Sequence, residues 1–149
     1  MSAKYPEELL WNGRVPDQNF DQEELLYFRI PNFNENGHVD AAHIRFPDTS
    51  VNRGKYSSPQ SVLFARIPQF LNHKVAKFQV KDIPASVQSG DGRSFNISIV
   101  HDPVQPPQEE ENYAHSEIRC FHQGVRRSRI PPAAEKYVRE ILGMSMKPA

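Results

Sequence analysis

The most regular pattern in the chain lies between Val75 and Ile83, where Ala76, Phe78 and Val80 alternate with Lys77, Gln79 and Lys81. A period of two puts the apolar set on one face and the polar set on the other, so this segment reads as a half-buried strand. Phe95, Ile97 and Ile99 alternate in the same way with Asn96, Ser98 and Val100, and Ser89-Gly90-Asp91-Gly92 between the two runs is a turn by composition. Leu25 to Ile30 is rich in strand formers and is stopped by Pro31, which predicts a further strand. Residues 115–121, with Ile118 and Cys120 on one face, predict another. Val39 to Phe46 reads as a short strand whose apolar phase slips between Ala41 and Ile44.

A helical period takes over twice. Behind Pro131-Pro132, residues Ala134, Tyr137, Val138, Ile141 and Leu142 fall at i, i+3, i+4, i+7 and i+8, with Gly143 placed to cap the end. Ser58-Pro59-Gln60 opens a second helix, expected to run through Val62, Leu63 and Ile67 to near Pro68. Together these elements predict an α+β fold in a single domain over residues 24–143, a mostly antiparallel sheet of about five short strands with two covering helices. Residues 1–23 read as an acidic arm, with Glu7, Glu8, Asp17, Asp21 and Glu23 against Lys4 and Arg14, expected to lie against the body of the domain or against a partner, and residues 144–149 as a C-terminal tail.

Composition sharpens this picture at few points. A length of 149 residues is enough for one core without disulfides or metal. Thirteen prolines and a mean hydropathy of −0.66 imply long proline-punctuated loops around a core built from nine Phe and five Tyr. Eighteen basic and 18 acidic residues cancel, which argues against a dedicated nucleic-acid binder. A lone Cys120 excludes an internal disulfide and fits a reducing compartment. The apolar runs are too short for a membrane span, and the first residues lack the basic-then-apolar order of a signal peptide, so a cytoplasmic protein is expected.

Candidate chemistry is sparse. Phosphate loops, paired-cysteine zinc patterns and a nucleophile elbow are absent from the sequence. Cys120 reads as a small core residue. The clusters His38–His43 and His115, Glu117, Cys120, His122 divide over both faces of any regular strand, so no metal is expected. Arg119, Arg126, Arg127 and Arg129 face an acidic counterpart in Glu109–Glu111 and Glu117, a solvated and mutually paired surface. The segment Arg45–Pro59 reads as a long polar loop ending at a helix start. Arg53, Lys55 and Ser58 converge there and are the anion-binding candidates, with Ser58 also capping. In the arm, Leu9, Leu10 and Trp11 are the candidate anchors for a partner protein.

Two resemblances add to this reading. The order Leu26-Tyr27-Phe28-Arg29, Ser50-Val51-Asn52-Arg53, Tyr56-Ser57-Ser58-Pro59 and Tyr113-Ala114-His115-Ser116-Glu117-Ile118, with a Pro/Ala-led helix at 131–142, is similar to a pattern in small bacterial proteins of unassigned function. The same first half more loosely resembles the RES and ADP-ribosyltransferase families. That likeness implies NAD binding, with Arg29 gripping the dinucleotide, Tyr56 and Ser57 matching a later segment, and Glu117 stabilising a ribosyl cation. The leading expectation is a non-enzymatic bacterial accessory or interaction protein, without cofactor, that docks partner protein chains; an NAD-handling enzyme is the alternative. On the leading reading, removal of residues 1–20 leaves the domain folded.

Overall fold

A computed structural model of the chain describes residues 5–63, 72–105 and 111–149. The fold is α+β, as expected, but the sheet has eight strands rather than about five. They are β1 (Leu25–Ile30), β2 (Thr49–Arg53), β3 (Lys74–Gln79), β4 (Ser86–Gln88), β5 (Ser94–His101), β6 (His115–His122), β7 (Val125–Arg127) and β8 (Lys147–Pro148). Their order is β4-β5-β6-β2-β1-β3-β8, every pair is antiparallel, and β7 pairs with β6. The helices are α1 (Pro59–Val62) and α2 (Pro132–Ser145).

The register gathers the apolar positions on one face. Leu26 lies opposite Phe78 and Phe28 opposite Ala76, while Thr49 pairs with Ile118 and Ile97 with Cys120. Against this face α2 packs Ala134, Val138 and Leu142, and Val39, Ile44, Phe46 and Met146 complete the core. Burial of that many large apolar groups is the main stabilising term for a chain of this size.

Four expectations need correction. Val39–Phe46 is not a strand: Ala41–His43 forms a single 3₁₀ turn whose start is fixed by Asp40 Oδ1 accepting from the Ala42 amide at 2.9 Å. The slipped apolar phase is that turn, which aims Val39, Ile44 and Phe46 at the same core. Gly143 does not end α2 but lies inside it, and a Cβ there would sit 2.5 Å from the Val39 carbonyl oxygen. Glycine lets the helix touch the 39–46 segment, and the Val39 amide donates to the Gly143 carbonyl at 3.3 Å. The C-terminal residues are not a loose tail: Met146 is fully buried and Lys147–Pro148 form the edge strand beside β3.

The fourth correction matters most. The presumed polar loop Arg45–Pro59 contains β2, a central strand. Thr49, Val51 and Arg53 point into the core and Ser50 and Asn52 point away, so the period of two is present. Polar residues on both faces concealed it. α1 begins as expected, with a reciprocal Ser58–Ser61 capping box. Its expected continuation to Pro68 falls on 64–71, outside the described residues. β6 and β7 join through Gln123 (φ 51°) and Gly124 (φ 79°), a two-residue turn of the twist that hairpins favour.

Candidate functional site

Two polar centres flank the middle of the sheet, one closed and one open. The closed centre is built around Arg53, which ends β2 on the core face and is fully buried. Its Nε and Nη2 donate to the two oxygens of Glu24 at 2.8 and 2.7 Å. Nη1 and Nη2 donate to the carbonyls of Asp17 and Asn19, and the Phe20 ring centroid lies 3.9 Å from the guanidinium carbon. Asp17 in turn accepts from Tyr56 Oη at 2.6 Å and Lys55 Nζ at 3.3 Å. Those contacts, the Tyr56 hydroxyl foremost and the Asn19 amide next, hold the Asp17 carboxyl well below the usual carboxylate range. The three anion-binding candidates, Arg53, Lys55 and Ser58, all meet carboxylates of their own chain. Arg53 and Lys55 face carboxylates of the same chain, and Ser58 caps α1 while its hydroxyl meets Glu8 at 3.1 Å.

The N-terminal segment supplies most of this closure, so of the two expected placements the arm takes the one against the body of its own domain. Leu9 is 4% exposed, and its carbonyl accepts from the Tyr113 amide at 2.8 Å. Trp11 donates from Nε1 to the Val104 carbonyl at 3.0 Å and meets the Tyr113 ring edge-on at 6.1 Å. Leu10 is half-buried. Two of the three expected partner anchors, Leu9 and Trp11, are therefore engaged by their own chain.

His101 sits inside the same closed centre, stacked on Tyr56 at 5.6 Å. The Asp17 amide donates to its Nδ1 at 2.8 Å, so that nitrogen carries no proton, and Nε2 faces the Tyr113 carbonyl at 2.5 Å. Burial pushes the His101 pKa down against the pull of the Tyr113 carbonyl, with Arg53 adding to the depression and the Asp17 carboxylate opposing it. A folded pKa below the ordinary value of about 6.5 means that the unfolded chain takes up the proton first. Stability should fall as pH drops below about 6.5. We expect the urea midpoint to decline from pH 7 to pH 5 and the slope to flatten in His101→Gln, whose amide can keep both bonds. A midpoint constant over that range in the natural chain would contradict this assignment.

The open centre lies on the opposite face of the sheet. Asn52 pairs with His115 and Ser50 with Glu117 across β2 and β6, and Tyr27 of β1 pairs with Asn52. Arg29 of β1 lies on this face as well. A cavity of about 360 Å³ opens over Arg29 and Ser50. Its floor is Arg29, Ser50, Asn52 and His115, and its walls are Tyr5 and Leu9, Ser61 and Val62 of α1, and Glu111 and Asn112. Arg29 donates to the Val62 carbonyl at 3.2 Å, which ties α1 to the sheet. A second cavity of about 310 Å³ shares Phe28 and Ser50 and continues toward His43, Arg45, Asp48 and Glu117. The two form a trough along β2.

No family model, curated protein or solved structure matches the chain. Asn112 Nδ2 donates to Asn52 Oδ1 at 2.7 Å, and Asn112 Oδ1 accepts from the Ala114 amide at 3.1 Å, which orients both amides. His115 Nδ1 lies 2.8 Å from the Asp102 carbonyl oxygen and its Nε2 lies 3.3 Å from Ser50 Oγ. Glu117 accepts from Arg119 at 2.7 Å and from Arg126 at 3.2 Å, and Arg126 also reaches Asp48 at 2.9 Å. Of the expected pairings, those of Arg119 and Arg126 with Glu117 are present, joined by Asp102 and Asp48; Glu111 instead accepts from the Trp11 amide at 2.6 Å, and Glu109 and Glu110 lie outside the described residues.

The residues named for NAD chemistry separate. Arg29 lines the open cavity and Glu117 the adjoining one, whereas Tyr56 bonds Asp17 in the closed centre and the buried Ser57 hydroxyl donates to the Arg53 carbonyl at 2.7 Å. Cys120 is buried in the core, where burial pushes its thiol up, away from nucleophile character. Among the described residues, no group of three His, Cys, Asp or Glu could hold a metal ion, and no helix is long and apolar enough to cross a membrane. Sequence reasoning overlooked Ser50, Asn52 and Asn112. The Ser50-Val51-Asn52 alternation was the available signal for the first two; Asn112 had none.

Proposed function

We propose that the chain is an accessory protein that docks a segment of a partner protein, and that the segment lies in the trough on the outer face of the sheet. The observation that carries this is the pair of adjoining cavities sharing Ser50. An elongated, polar trough of this kind suits an extended chain with successive side chains seated in successive cavities. The polar groups along it can meet backbone amides and carbonyls. A photo-crosslinking residue in place of Asn52 should capture one discrete partner segment, and the same residue in place of Asn96, an exposed position on β5, should not. Equal capture from both positions would remove the trough as the docking site.

A second reading is favoured by Arg29 and Glu117, which line adjoining cavities that share Ser50. An arginine fork suits a pyrophosphate, and a carboxylate on the neighbouring cavity suits a ribosyl cation, so NAD remains the cofactor this alternative requires. In that case Ser50 takes the place assigned to Ser57. Nicotinamide release from NAD⁺ that disappears in Arg29→Ala would establish it, and no release from the folded natural chain would retire it.

A further inference from the structure

We propose that Ser50 and His115 form a nucleophile–base pair and that Ser50 Oγ accepts the acyl group of a small carboxylic ester bound in the trough. This rests on the outer face being an occupied site, not on the identity of its protein partner. The two residues sit on neighbouring strands, Ser50 opposite Glu117 and His115 opposite Asn52, so they meet across the diagonal of the ladder. The Asp102 carbonyl oxygen can only accept a hydrogen bond, so His115 Nδ1, 2.8 Å away, carries the proton. Nε2 then presents its lone pair to Ser50 Oγ at 3.3 Å, and the hydroxyl donates to it. A hydroxyl, an imidazole and an acceptor that fixes the imidazole tautomer stand in the order that acyl transfer needs, with a backbone carbonyl in the orienting role. Pairs of this kind tighten when substrate binds.

The surroundings supply the remaining parts. The cavity of about 360 Å³ above the pair falls in the size range of small-molecule sites. The bond from Asn112 to Asn52 Oδ1 orients the Asn52 amide, whose Nδ2 hydrogens can donate to a ligand. Those hydrogens and the positive charge of Arg29 in the same cavity favour negative charge on a carbonyl oxygen. In the reaction Ser50 Oγ forms a bond to the ester carbonyl carbon while its proton passes to His115 Nε2. The tetrahedral adduct then breaks its bond to the alkoxy oxygen, which leaves as the alcohol after taking the proton from Nε2. Water next attacks the acyl carbon and gives a proton to Nε2. The bond from carbon to Oγ breaks, Oγ recovers its proton, and the carboxylic acid departs.

The test uses the full chain, a fluorophosphonate probe and p-nitrophenyl acetate. We expect one phosphonyl adduct, mapped to Ser50, and measurable release of p-nitrophenol. Ser50→Ala should abolish both, and His115→Gln should slow both by about 10²-fold or more, the usual worth of a general base. Ser98→Ala, at an exposed serine on β5, should match the natural chain. Thermal unfolding of each variant separates loss of chemistry from loss of fold. Labelling elsewhere than Ser50, or a rate unchanged in His115→Gln, would overturn the proposal. Labelling of Ser50 without crosslinking from Asn52 would overturn the docking reading and leave this one standing.

Discussion

Arg53→Met is expected to lower the stability of the folded chain by about 3–5 kcal/mol, the cost of leaving a buried carboxylate without its partner. Arg53 is fully buried and the Glu24 side chain is 7% exposed, so water cannot replace the guanidinium that binds both Glu24 oxygens. The same substitution orphans the carbonyls of Asp17 and Asn19. Burial opposes the charge on Arg53, while the bonds and charge of Glu24, followed by Asp17, raise its pKa above the ordinary value. The group thus stays ionised and the pair acts as a unit. The urea midpoint at constant slope measures the loss. Adding Glu24→Leu to Arg53→Met should recover part of it, because an apolar pair removes the unpaired charge. A loss below about 1 kcal/mol in the single variant would mean that the closed centre is wetter than its geometry implies.

The second large effect is expected from truncation. Removing residues 1–20 takes away Leu9 and Phe20, two carbonyl acceptors of Arg53, the Asp17 amide that fixes His101, and the Val15 carbonyl that accepts from the Tyr113 hydroxyl. Gln18 is lost as well, and with it the amide that bonds both backbone groups of His101. Domains are stable by only about 5–15 kcal/mol, and these losses together exceed the effect of Arg53→Met alone. We expect the shortened chain to lose cooperative thermal unfolding. A truncated chain that melts sharply near the natural temperature would show the first 20 residues to be dispensable, as the sequence alone suggested.

Regions where one face is apolar and the other polar were legible from the residues. The alternation at 76–79 and 95–98 fixes which side of β3 and β5 meets the core, because slipping by one residue would invert every side chain, although the strand expected to reach Ile83 ends at Gln79 and Val80–Asp82 form a 3₁₀ turn. The 3.6-residue stripe of α2 and the Ser58 cap were legible for the same reason: helix periodicity and orphan amides are local properties. These features determined an α+β chain with an antiparallel sheet.

Tertiary structure decided the rest. β2 carries Arg53 toward the core and Ser50 away from it, and an inward arginine breaks the apolar alternation that identifies strands. Only partners 29 and 36 residues away, Glu24 and Asp17, make that inward charge tolerable. The same holds for the N-terminal segment, whose composition leaves its own domain and a partner chain as equal docking places until its backbone groups meet Arg53, His101 and Tyr113. Ser50 and His115 are 65 residues apart, and no local spacing announces their approach. Hydrophobic period is a property of neighbours in sequence, whereas a paired buried charge and an open trough arise only when distant strands come into register.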